Sequence, residues 1–105
     1  MIGLDANTLV RYIVEDDPQQ AALANELIDK QCTTKNPAFI NLMVLSELVW
    51  VLTRAYSCNR SQISEILQNI LLTENFVIEH HGVAWQAFND YDSGNADYSD
   101  CLIPD

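Results

Sequence analysis

The sequence predicts an α/β fold built on a parallel sheet, and three observations carry that expectation. Short apolar runs at residues 1–4, Ala38–Ile40 and Phe76–Ile78 alternate with longer stretches of helical periodicity. The order strand, helices, strand, helices, strand, helices requires crossover connections, which are right-handed and leave the strands parallel. The chain has 105 residues, no repeat and only three Gly and three Pro, so residues 1–105 form a single domain.

Each element follows from local chemistry. The first strand ends at Asp5, and residues 8–14 read as a short helix. Asp17-Pro18-Gln19-Gln20 starts a second helix, with Asp17 as N-cap, Pro18 at the first helical position and Gln20 completing a capping box. Ala21, Ala22, Leu23, Leu27 and Ile28 are its expected apolar face. Pro37 stops what precedes the second strand, and Asn41 caps a third helix reaching about Tyr56. After Ser61, residues Ile63, Ile66, Leu67, Ile70 and Leu71 recur at helical spacing. A third strand follows, then a fifth helix over 83–91 and a sixth from Asp97.

Composition narrows the function. Fifteen acidic and five basic side chains give a net charge of −10, and residues 61–105 hold eight of the acids and no Lys or Arg. A nucleic-acid grip ordinarily needs a basic stripe, so charge alone points to a metal or a basic protein. At 49 % apolar residues the chain is too rich for disorder. Met1-Ile2-Gly3-Leu4-Asp5 has no signal-peptide character and no apolar run reaches membrane-spanning length, so the expectation is a soluble, cytoplasmic protein. Cys32, Cys58 and Cys101 are too few and too widely spaced for a disulfide framework or zinc ribbon, and read as free packing cysteines. Asn59-Arg60-Ser61 fits the glycosylation pattern, which has no meaning without secretion.

Ligands of parallel α/β sheets bind beyond the carboxyl ends of the strands, so acids placed there need an explanation. Asp5 ends the first strand, where it is either a helix N-cap or a ligand. Glu47 is flanked at helical spacing by Met43, Val44, Trp50 and Val51. A carboxylate in such a setting is paired, metal-bound or protonated if buried, or else sits at a rim turned to water. Asp97 and Asp100 suit the start of the sixth helix as capping residues. Converging carboxylates on one side of a sheet repel, and a hard divalent cation, Mg²⁺ or Mn²⁺, relieves that repulsion.

Gly3-Leu4-Asp5-Ala6-Asn7, Leu45-Ser46-Glu47-Leu48-Val49-Trp50 and Asn95-Ala96-Asp97-Tyr98-Ser99-Asp100-Cys101-Leu102-Ile103 together resemble PIN-domain proteins, specifically the VapC-type toxins of bacterial toxin–antitoxin modules. Val10-Arg11-Tyr12, Asp16-Asp17-Pro18 and Arg54-Ala55-Tyr56 extend the match along the whole chain. The resemblance implies a three-layer α/β/α domain and a Mg²⁺- or Mn²⁺-dependent endoribonuclease. It matches Asp5, Glu47 and Asp100 to the metal-holding, catalytic acids, Asn7 to a residue that orders the site, and Asp97 to a cap or supporting acid. It also implies an RNA substrate and a cognate antitoxin; the expectation of a homodimer comes instead from the sheet edge that a missing strand would expose, and that of no membrane association from the lack of a spanning apolar run. A metal ion held by Asp5 and Asp100 would acidify a water for attack on a phosphodiester, with Glu47 positioning water or a second ion.

The family ordinarily continues with a longer sixth helix, another strand and a fourth acid, so the expectation here is a C-terminally shortened domain with its last strand missing. Asp105 is a poor replacement, since five helical residues turn roughly 500° and leave it about 140° around from Asp100. Pro104 is unsuited to a helix interior. A second function of a different class is therefore open: a weakly active or inactive PIN remnant that binds an antitoxin or itself.

Other motifs are set aside. His80-His81 reads as a solvated loop, and Asp90-Tyr91-Asp92-Ser93-Gly94-Asn95 fails as a calcium loop at its sixth and twelfth positions. Trp50 and Trp85 read as core or interface aromatics rather than base-stacking platforms.

Overall fold

The computed structural model describes residues 1–14, 18–94 and 97–101, with the side chains of Gln20, Ser99 and Asp100 outside the described set. Strands β1 (Ile2–Gly3), β2 (Ala38–Ile40) and β3 (Phe76–Ile78) form one parallel sheet in the order β1-β2-β3. Ala38 sits in register with Ile2 and Phe76. Helices α1 (Ala6–Val14) and α2 (Pro18–Asn25) connect β1 to β2, α3 (Leu42–Arg54) and α4 (Arg60–Leu72) connect β2 to β3, and α5 (His81–Ser93) and α6 (Tyr98–Cys101) follow β3. The α/β class and the parallel sheet expected from the sequence are therefore present.

Strand ends and helix starts are coupled by capping. Asn41 follows β2 and its side chain accepts the Val44 N–H at 2.8 Å, which fixes where α3 leaves the sheet. Glu79, just past β3, reaches across to accept the Leu42 N–H at 3.2 Å, satisfying another open donor of the same helix end. For α4 the cap is Asn59, two residues before the expected start. Its side chain accepts from the Gln62 N–H while the Gln62 side chain accepts from the Asn59 N–H, a complete capping box. Asn59 thus has a structural use that the glycosylation pattern had obscured.

Several expectations change in detail. Helix α2 passes into a π-helical segment over Glu26–Gln31. Ala21, Ala24 and Ile28 face the core from this stretch, Leu27 is half-buried, and Ala22 and Leu23 point to solvent. The buried spacing of three and four residues excludes the two middle positions. Helix α5 begins at His81, so that residue is helical, not in a loop; its ring Nε2 accepts from Trp85 Nε1 at 3.0 Å. His80 precedes it with a left-handed φ of 46°. The Asp90–Asn95 stretch lies largely on α5, whose helix runs to Ser93. The proposed capping by Asp17, and Pro104 and Asp105, lie outside the described residues.

The core is continuous. Leu9 from α1, Ile40 from β2, Leu45, Leu48 and Leu52 from α3 and Ile63 and Leu67 from α4 are almost fully buried, each contributing about 1.5–3 kcal/mol of transfer free energy. Tyr98 of α6 is also buried, edge-to-face with Tyr91, and its hydroxyl donates to the Ala84 carbonyl at 3.5 Å. Burial holds the Tyr98 phenol far above its ordinary pKa. Cys32 is buried and Cys58 and Cys101 are half-buried, and none of the three is in a disulfide. Among the described residues no helix is long and apolar enough to cross a membrane.

Candidate active site

The acidic site is assembled at the carboxyl end of β1, where the chain turns into α1 and meets α3. Helix α1 packs on α3, which brings Asp5 and Glu47 together although 42 positions separate them in sequence. Both carboxylate residues, with Asn7, line one cavity of about 340 Å³ whose remaining walls are Ala6, Trp50 and Val51.

Asp5 is a cap and a cavity residue at once. Its Oδ1 accepts the Thr8 N–H at 2.7 Å, closing the first turn of α1. The Thr8 backbone N–H, then the Thr8 hydroxyl, hold its carboxyl below the usual carboxylate range, against a small opposing effect of burial and with help from Arg11. The group is exposed and ionised at neutral pH. One capping bond leaves most of the acceptor capacity of a carboxylate available to a ligand. The two alternatives for Asp5 are compatible.

Glu47 lies on the outer face of α3 and is exposed, so its apolar sequence neighbours do not bury it. Rim exposure, the milder alternative, is what the fold provides. Nothing has to neutralise the carboxylate for folding, yet its position opposite Asp5 sets two acids on one cavity.

The other acids stand differently. Asp97 is exposed, and its carbonyl accepts the Cys101 N–H at 3.2 Å, as expected of the residue before α6. It lines a neighbouring cavity and not the one that holds Asp5 and Glu47. Asp100 lies on α6, a helix packed against α3 and α5, but its side chain is outside the described residues. Among the described residues no group of three His, Cys, Asp or Glu side chains is placed to hold a metal ion.

The donors on the acidic cavity nevertheless fit a hard cation. Asp5, Glu47 and Asn7 offer oxygen, and no thiol or imidazole lines the cavity. Mg²⁺ characteristically uses one or two carboxylates and fills its other positions with water and substrate phosphate, so a two-carboxylate cavity open to solvent suits it.

Trp50 was missed as a site residue. It is 62 % exposed and forms a wall of both this cavity and the next, which also contains Arg54 and Arg60. Of the two alternatives for Trp50, core or interface, the core one is corrected here: Trp50 falls on the same outer stripe of α3 as Met43 and Glu47. Trp85 is half-buried, with its ring edge-to-face against Phe88, and does fit a packing role.

No curated protein and no solved structure is significantly similar to the chain. A protein-family model for the PIN domain matches residues 2–103, almost the entire length and all three segments that suggested the resemblance. A chain whose β1 terminus and α3 converge on a carboxylate cavity, and which that model covers over residues 2–103, belongs to the PIN domain family.

Proposed function

We propose that the protein is a Mg²⁺- or Mn²⁺-dependent endoribonuclease, the toxin of a VapC-type toxin–antitoxin pair acting in the cytoplasm. PIN domains are generally nucleases, which supports an enzyme at the family level. The observation that carries the proposal is the shared cavity of Asp5 and Glu47 at the carboxyl end of the sheet.

Asp5, Glu47 and Asp100 would hold the ion, with Asn7 orienting the set. A bound divalent cation supplies a water of lowered pKa and offsets the charge that builds on the phosphate. The protein's own contribution is positional. Thr8 fixes the Asp5 carboxylate in one orientation and keeps it ionised, so it is ready to accept a cation without first losing a proton. Asn41 and Glu79 fix the start of α3, and with it the direction in which Glu47 faces the cavity. Phosphate then meets a cation, not bare carboxylates, which reconciles a chain of charge −10 with a polyanionic substrate.

The cognate antitoxin belongs to the same proposal. A basic side chain directed at the Asp5–Glu47 cavity, preferably the planar fork of an arginine, would pair with both carboxylates and exclude substrate. Self-association as a homodimer completes the assembly proposed here.

The test is hydrolysis of single-stranded RNA by purified protein in Mg²⁺ or Mn²⁺, with EDTA as control. The rate should fall to background with EDTA and by about a hundredfold or more in Asp5→Asn. Asparagine is as good an N-cap as aspartate, so α1 and the circular dichroism spectrum should survive that substitution. Activity undiminished in Asp5→Asn, or indifferent to EDTA, would contradict the proposal.

A further inference from the structure

Trp50 stands on the boundary between two cavities of opposite character. On one side are Asp5 and Glu47; on the other is a second cavity of about 340 Å³ lined by Arg54, Arg60, Ser46, Tyr91 and Asp97. The sequence has only five Lys and Arg residues, and two of them lie on this one cavity. In a chain of net charge −10 that is a local reversal of sign.

The two arginines are placed in different ways. Arg60 is fixed, with its guanidinium carbon 4.1 Å from the centroid of the Tyr91 ring and its Nη1 donating to the Tyr91 carbonyl at 2.9 Å. Arg54 is exposed and lies four residues beyond Trp50, one helical turn along the same face of α3. An exposed indole, an adjacent guanidinium and a second, immobilised guanidinium are complementary to a nucleotide, whose base is a flat π surface and whose phosphate accepts planar forks.

We propose that the cavity formed by Trp50, Arg54 and Arg60 is a nucleotide subsite. An unpaired base stacks on Trp50, and the phosphate next to the one at the acidic cavity is taken by Arg54 and Arg60. The subsite rests on the nuclease function proposed above, of which it defines the substrate strand. Bases inside a duplex have both faces covered by neighbours, so the indole selects single-stranded RNA. Asp97, exposed on the α6 side of the same cavity, repels phosphate there and confines it to the arginine side. A second copy of the chain is a weaker candidate for this surface, because it brings another net charge of −10 to a face that already carries Asp5 and Glu47.

The sequence has two tryptophans, so Trp85→Phe leaves Trp50 as the sole indole reporter. In that background, with Asp5 intact and Ca²⁺ in place of Mg²⁺ to occupy the acidic cavity without supporting hydrolysis, a single-stranded uridine hexanucleotide should quench Trp50 emission, and a duplex of the same length should not. Trp50→Leu should weaken hexanucleotide binding measured by fluorescence anisotropy by about tenfold or more, while Trp50→Phe restores most of it. Arg54→Ala should lower the slope of log affinity against log salt by about 0.7, one phosphate contact.

Hexanucleotide binding with unchanged Trp50 emission, or no binding at all, would overturn the subsite. So would an emission change that follows protein concentration alone, since it would show Trp50 covered by a second copy. Quenching by RNA in a protein whose unsubstituted form never cleaves would uphold the subsite and remove the hydrolytic function; cleavage without quenching would do the reverse.

Discussion

On the inner face of α3, Leu45, Leu48, Val49 and Leu52 are buried, whereas its outer face carries Met43, Glu47, Trp50 and Arg54 in the open. The inner face follows the rule that apolar surface removed from water stabilises the fold. The outer face does not: Met43 is 70 % exposed and Trp50 62 % exposed. One helix thus supplies a wall of the core and the side chains of two cavities, and rigid packing on one face is what holds the other in position. The contrast makes a separable prediction, that inner substitutions change stability and outer ones change function.

The largest effect should come from inside. Leu48→Ala should cost about 2–5 kcal/mol in a denaturant titration, through lost transfer energy and a cavity that the surrounding core fills only in part. Activity per folded molecule should stay near normal. Glu47→Gln, one residue away, should do the opposite, leaving the unfolding midpoint unchanged while Mg²⁺-dependent hydrolysis falls about tenfold or more. If both substitutions moved both quantities together, the division of α3 into two roles would fail.

Asn59→Ala tests the wall of the second cavity from outside α3. Loss of the capping box should destabilise by about 1 kcal/mol and loosen Arg60, the first residue of α4, from the Tyr91 ring. A smaller effect belongs to Asp5. Because its folded pKa is depressed, its contribution is fully present above the ordinary value of 3.8 and is lost as pH falls below it. An Asp5→Asn variant should show a shallower loss of stability below about pH 4 than the unsubstituted chain.

Much of this was legible in the sequence, and the exceptions have local causes. The three strands and the caps at Asp5 and Asn41 could be read because short apolar runs end at residues whose side chains accept helix N–H groups. The α3 face could not, since Leu42 to Leu52 is apolar almost all round and periodicity alone does not say which stripe the core covers. Hence the sequence leaves Trp50 between core and interface, and Glu47 between a buried, partnered acid and a rim position, until packing against α1 and α4 places both outside. The start of α4 was obscured because Asn59 and Ser61 are both good caps, and only the reciprocal bond with Gln62 decides between them. In α2 the run Ala21 to Ala24 is apolar on every side, so only the packing that buries Ala21, Ala24 and Ile28 shows that Ala22 and Leu23 face solvent. At the candidate site, Asp5 and Glu47 were identified by type and setting, and their meeting on one cavity is a consequence of tertiary packing.

The central claim is that Asp5 and Glu47 act as one cation site. Mn²⁺ affinity measured by titration calorimetry on the unsubstituted chain, Asp5→Asn, Glu47→Gln and the double variant tests it without reference to any substrate. Shared ligation predicts that each single substitution removes most of the affinity and that the double variant is little worse than either, a coupling of more than 0.5 kcal/mol between neighbouring residues. Unchanged affinity in either single variant, or strictly additive losses, would contradict it.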